Sequence, residues 1–135
     1  MSTLRTNALE GMDAKNSITI VAGAGNITTT NVQEGLCKLI AKSNQSSNEI
    51  EFGFNTSSYT DSATGLYILT ATSVFSSVVN LVSTSSSQPQ ATSNHCINHM
   101  AEGSSTSSAI KFSTVENGSN KDQPFNHNTV FGDLA

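Results

Sequence analysis

The sequence predicts a mainly β domain, an antiparallel sandwich or jelly-roll-like fold that assembles with further copies of itself. Three observations lead there. β-branched and aromatic runs recur roughly every 8–15 residues, divided by polar turns, which is the rhythm of all-β domains. Ser, Thr and Asn make up 52 of the 135 residues, while charged residues are only 12%, so the chain lacks the charge of a disordered segment. Apolar residues are 36%, with no Trp, against about 45–50% for an ordinary globular domain. Surface scaling gives about 6,700 Å² exposed when folded and about 20,400 Å² unfolded, so a single copy has little burial to spare. Contact between identical chains supplies more.

The elements follow in order. Residues 1–16 read as an N-terminal docking segment: Leu4, Ala8, Leu9 and Met12 fit a short helical face, and the stretch fits equally an extended arm that docks on a neighbour, while 17–135 read as a single β domain. Ser17–Val21 is a β-branched strand closed by the turn Ala22–Asn26, and Ile27–Val32 is again extended. Gln33-Glu34-Gly35 breaks the pattern, and Leu36–Ala41 fits either a short helix or a strand. Asn44–Asn48 is a turn. Glu49–Phe54 alternates strictly and sets Ile50, Phe52 and Phe54 on one buried face. Thr60–Gly65 reads as a loop, and Leu66–Thr72, apolar on both sides, as a central strand. Val74–Val82 supplies another strand, with polar loops at Ser83–Ser93 and Gly103–Ser108. Ala109–Val115 alternates, Asn117-Gly118 is a hairpin turn, and Thr129–Phe131 is the last apolar stretch. Phe52, Phe54, Ile68, Val79 and Phe112 are the expected buried side chains.

Several functions are disfavoured. A net charge of −4 has the wrong sign for nucleic acid or an anionic membrane. No apolar run is long enough for a membrane span, and the N-terminal residues lack the apolar core of a secretory signal. Cys37 and Cys96 read as buried free thiols, with a disulfide left open. Gly23-Ala24-Gly25 lacks the third glycine of a dinucleotide fingerprint, since Thr28 stands there and no helix follows. There is no Gly-x-Ser-x-Gly elbow. Glu49 and Glu51 share a strand face, as a hydrolytic acid pair would, but on the side expected to face solvent.

One metal constellation stands out: His95-Cys96-Ile97-Asn98-His99, with His127 elsewhere. Histidines four apart with a thiolate can ligate zinc, and an oligomer axis can gather one histidine per chain. His-Glu-x-x-His is absent, Glu102 is the nearest acid, and no cofactor is assigned. A Ser/Thr/Asn surface instead suits many weak neutral contacts, because short side chains lose little entropy on binding. The candidate contact residues are Asn44, Ser86, Gln88, Gln90, Ser104 and Ser105, in the expected outward loops.

Four blocks in order carry a family resemblance. They are Ser2-Thr3-Leu4-Arg5-Thr6-Asn7-Ala8-Leu9-Glu10-Gly11, Gly23 to Leu36, Phe54-Asn55-Thr56-Ser57-Ser58 running on through Gly65 to Tyr67, and Val130-Phe131-Gly132-Asp133-Leu134-Ala135. Together they resemble short tail-fibre-like virion proteins of marine short-tailed phages, especially those of cyanobacteria. The chain departs from that pattern at Lys38–Asn48, which has neither the family's Trp-containing strand nor its Asn-Gly turn, and at Ser83–Ser108. The resemblance implies a homotrimeric virion protein on the particle exterior. Its arm would bind tail or capsid proteins, and its surface a host glycan or protein. A capsid decoration or connector is the alternative position. No catalytic residue carries over.

Overall fold

The computed structural model describes residues 19–21, 29–31, 36–88 and 96–135. The expected arm at residues 1–16 lies outside them. The chain divides into two compact units, Met1–Leu36 and Cys37–Ala135. In the first, β1 (Thr19–Val21) pairs antiparallel with β2 (Thr29–Asn31), where the sequence places its first β-branched runs.

The second unit is built from antiparallel strands. They are β3 (Cys37–Asn44), β4 (Glu49–Phe54), β5 (Thr56–Ala63), β6 (Leu66–Ala71), β7 (Val82–Gln88), β8 (Cys96–Met100), β9 (Ala109–Glu116), β10 (Ser119–Asn120) and β11 (Phe125–Phe131). The only helical piece among the described residues is a 3-10 turn, Glu102–Ser104. No helix among them is long and apolar enough to cross a membrane.

A four-stranded sheet runs β4-β3-β11-β7. A five-stranded sheet has β9 at its centre. Val115 and Glu116 pair with Ile97 and Cys96 of β8 on one side and with Asn120 and Ser119 of β10 on the other. β10 therefore continues the line of β6, whose far side pairs with β5. As expected, Leu66–Thr72 holds a central strand. Leu36–Ala41 resolves as strand.

Both sheets feed one core. Leu39, Ala41 and Val130 come from the four-stranded sheet, and Tyr67, Leu69, Ala71, Ile110 and Phe112 from the other. Tyr59, Tyr67 and Phe112 stack across three strands with ring centroids 5.4 and 5.5 Å apart. Phe75 and Leu81 complete the core from the segment between β6 and β7.

Turn chemistry fixes the connections. Asn117 and Gly118 both have positive φ, 50° and 80°, as a tight hairpin requires. Asn55, also left-handed, links β4 to β5. Its Nδ2 donates to Lys38 O (2.9 Å) and Ser73 O (3.1 Å), and its Oδ1 accepts from Ser73 N (2.6 Å). At Gly65, with φ +69°, an added Cβ would sit 2.5 Å from Thr114 O.

Four expectations are corrected. Phe52 and Phe54 are 58% and 54% exposed, although they alternate with Ile50 in the pattern of a buried face. The register explains it. β4 pairs Phe52 with Lys42 and Ile50 with Ser43, so Glu51 is an extra residue in a bulge. Ile50 then shares the side of buried Ser43, and the two rings turn outward with Lys42 and Ile40. Val79 is 69% exposed because Val74–Leu81 is a loop connecting the two sheets and not a strand. That loop is anchored by Phe75 N on Ser107 O (2.8 Å) and by Ala135 N on Val74 O (2.9 Å). Ser83–Ser93 is not all loop: β7 runs to Gln88, pairing with β11. Thr60–Ala63 likewise belongs to a strand, β5. Both segments read as loops because hydroxyl residues carry no apolar alternation, although β7 pairs with β11 without a break and β5 pairs with β6 with a bulge after Asp61. Ile68 is half-buried, and Phe112 is fully buried as expected.

Phe112→Ala is expected to cost about 3–5 kcal/mol in urea unfolding, since it removes a fully buried ring from the end of the aromatic stack. Gly65→Ala is expected to cost about 1–3 kcal/mol through backbone strain. A wild-type unfolding midpoint for either variant would contradict this packing.

Candidate functional site

Two of the three inward positions of β11 are amides. Asn126 and Asn128 are buried, next to Val130, while Phe125, His127 and Phe131 take the outward positions. Asn128 lies across from Tyr67, whose hydroxyl donates to Asn128 Oδ1 (2.9 Å). Asn98 Nδ2 from β8 donates to Tyr67 Oη (2.9 Å) and to the same Asn128 oxygen (3.1 Å). Nearer the β9–β10 turn, Gln45 Oε1 accepts from Thr114 Oγ1 (3.1 Å) and Gln123 N (3.3 Å). Gln123 Nε2 donates to Glu116 Oε2 (2.7 Å), which also pairs with Lys121 (3.1 Å). These amides tie the sheets together. Among the described residues these interior polar groups are engaged with one another across the sheets.

The sheet's outer face is different. Its cross-strand rows are Phe54–Ile40–Thr129–Thr84 and Phe52–Lys42–His127–Ser86, ordered from β4 to β7. One half is aromatic and aliphatic, the other hydroxyl and imidazole. Lys42 bridges them: its ammonium lies 5.4 Å from the Phe125 ring centroid and forms an ion pair with Glu51. Between β7 and β11 a groove of about 190 Å³ is lined by Thr84, Ser85, Ser86, His127 and Thr129.

The sequence-derived residues fall unevenly on this surface. Asn44, Ser86, Gln88 and His127 share the outward side of the four-stranded sheet. Asn44 Oδ1 is partly committed, since it accepts from Ser46 N (3.0 Å) and Ser47 N (3.2 Å). Ser86 and Gln88 are exposed as expected, though on a strand and not a loop. Ser105 is a clasp and not a free tip: its Oγ donates to Ala101 O (2.9 Å) and accepts from Lys111 N (2.9 Å). Ser104 is exposed. Gln90 and His95 lie outside the described residues.

His99 is outward on the five-stranded sheet and His127 outward on the four-stranded one, so one chain does not bring them together. Among the described residues no group of three or more His, Cys, Asp or Glu side chains is placed to hold a metal. Cys37 and Cys96 are free thiols, half-buried and not buried as the sequence led one to expect. Burial pushes the Cys96 thiol above its ordinary value, the Glu116 charge adds to this, and a hydrogen bond to Ser87 opposes it. Such a thiol is a poor nucleophile at neutral pH. Glu51 is held by Lys42, and Glu49 accepts from Ser47 Oγ (2.9 Å), so both acids are engaged in surface contacts.

Sequence reasoning missed His127 and Thr129 as groove residues and the exposed phenylalanines as surface. Asn126 and Asn128 at alternate positions were available as a signal, but which side of the strand faced inward was not. Comparison with protein-family models, curated proteins and solved structures finds no match to this chain.

Burial holds the hydroxyls of Tyr59 and Tyr67 well above the ordinary tyrosine value of 10; at Tyr59 the charge of Asp61 adds to burial, and at Tyr67 the bonds to Asn98 and Asn128 oppose it. A raised folded pKa means this stabilisation is complete below pH 10 and is lost as pH rises beyond it. These are the chain's two tyrosines, so phenolate absorbance is expected to appear only together with loss of β-sheet circular dichroism. Phenolate forming at pH 10 in a native spectrum would contradict the burial.

Proposed function

We propose that this chain is a phage virion structural protein, a homotrimeric tail-fibre-like appendage on the particle exterior that contributes to host-surface attachment. In this reading the second unit is a two-layer β-sandwich, residues 1–16 dock on other tail or capsid proteins, and the chain works by contact and not by catalysis. The four-block resemblance suggests the class. The observation that carries the reading here is the outward face of the four-stranded sheet, where Thr84, Ser86, His127 and Thr129 line an open groove on rigid strands.

Hydroxyl and imidazole groups of this kind exchange hydrogen bonds with a glycan or a polar protein surface without desolvating a net charge. Their short side chains lose little rotamer entropy. Each contact is weak, and three copies on one appendage raise the effective affinity through avidity.

Antibody against the chain is expected to label the exterior of intact particles. Saturating purified protein is expected to compete with phage adsorption to the host. Ser86→Arg, which fills the groove, is expected to raise the half-inhibitory concentration by about tenfold, roughly 1.4 kcal/mol, with an unchanged β-sheet spectrum. Labelled particles whose adsorption the protein leaves unaffected would favour a decoration or connector role.

A further inference from the structure

We infer that the second unit holds a bound water molecule in its interior, bridging Asn128 and Ser85 of one sheet to Asn98 of the other. This site is separate from the attachment surface and stands whether or not the chain belongs to a virion.

Three atoms define it: Asn128 Nδ2, Asn98 Oδ1 and Ser85 Oγ. Each is shielded from solvent and has no hydrogen-bond partner among the described residues. Asn128 is 1% exposed and Asn98 8%. Register brings them together. Ser85 on β7, Asn128 on β11 and Ala41 on β3 form one inward cross-strand row. Directly paired side chains have Cβ atoms about 4.5–5.5 Å apart, within reach of one bridging molecule. Asn98 meets the row from β8, where its Nδ2 lies 3.1 Å from Asn128 Oδ1. Ala41, whose side chain is a single methyl, puts little bulk into the row.

Amide geometry keeps the demand in place. Asn128 Oδ1 already accepts from Tyr67 Oη and Asn98 Nδ2, and Asn98 Nδ2 also donates to Tyr67 Oη. One end of each amide is therefore occupied and the other is not. Turning both amides over would exchange the two roles and again leave one donor and one acceptor unmet. No rearrangement within the triangle removes the need for a further molecule. Three unmet buried groups together outweigh the entropy lost in fixing one water.

The chemistry selects water over an ion. Asn128 Nδ2 only donates, Asn98 Oδ1 only accepts, and Ser85 Oγ does either. A cation would face the amide N–H, and an anion the amide oxygen. A water accepts from Asn128 and donates to Asn98 and Ser85, which gives the roughly three bonds usual for a buried water. It joins β7 and β11 to β8 beside the Tyr67 triangle.

Crystals of the full chain are expected to show a density peak about 2.7–3.2 Å from each of Asn128 Nδ2, Asn98 Oδ1 and Ser85 Oγ. A site without density would overturn the proposal. Soaking in sodium bromide separates water from an anion: the peak is expected to carry no anomalous bromide signal, and such a signal would overturn the assignment to water. In solution, Ser85→Val removes one partner and fills the space. Relaxation dispersion of water oxygens reads long-lived waters and not exchanging hydroxyls. It is expected to lose about one molecule per chain in the folded variant. An unchanged count would overturn the site. If Ser85→Val does not fold, the wild-type crystal decides.

Discussion

The Tyr67 hydroxyl, donating to Asn128 across the space between the sheets while Asn98 donates to both, is the contact that the rest of the fold is arranged around. β6 and β8 supply two of these groups and β11 the third, so one hydrogen-bonded triangle spans both sheets. A chain with 36% apolar residues cannot fill its interior with aliphatic side chains alone. It uses buried amides and hydroxyls, and each must find a partner or cost about 1–3 kcal/mol. That requirement ties the pairing of β11 to that of β6 and β8 more tightly than apolar packing would, because amides have directions and methyl groups do not.

Spending the inward positions of β11 on asparagine has a counterpart outside. Phe125, Phe131 and His127 take the positions that face away, and on β4 two more rings do the same. The outward surface of the four-stranded sheet is therefore unusually apolar toward β4, while toward β7 it is a hydroxyl surface on a rigid strand.

The sequence was informative where local chemistry decides and silent where tertiary pairing decides. Asn117-Gly118 announced its hairpin, and the Leu66–Thr72 run announced a central strand, because positive φ and an apolar run with one face buried and the other half-buried leave marks in a few adjacent residues. β7 left none. Its alternate serines differ only in what lies above them: Ser87 meets the buried Asn126 side chain, while Ser86 lines the groove. Period-two reasoning needs two kinds of residue, and a run of serines has one. On β11 the usual sense is inverted over Phe125–Asn128, with amides inside and Phe125 and His127 outside, before Val130 returns an apolar side chain to the core. For the candidate site, Ser86 and Gln88 were found by composition, but their place on a strand, and the neighbours His127 and Thr129 that make a groove of them, come only from the pairing of β7 with β11.

The extra residue at Glu51 sets which way β4 faces. Upstream of it, odd and even positions have one meaning; downstream, they have the other. Exchange of one amino acid for another leaves that parity intact, whereas gain or loss of a single codon reverses it. For this strand the smallest genetic event that exchanges inside for outside is thus an in-frame indel, and a comparison of chains that scores only residue identities would not register it.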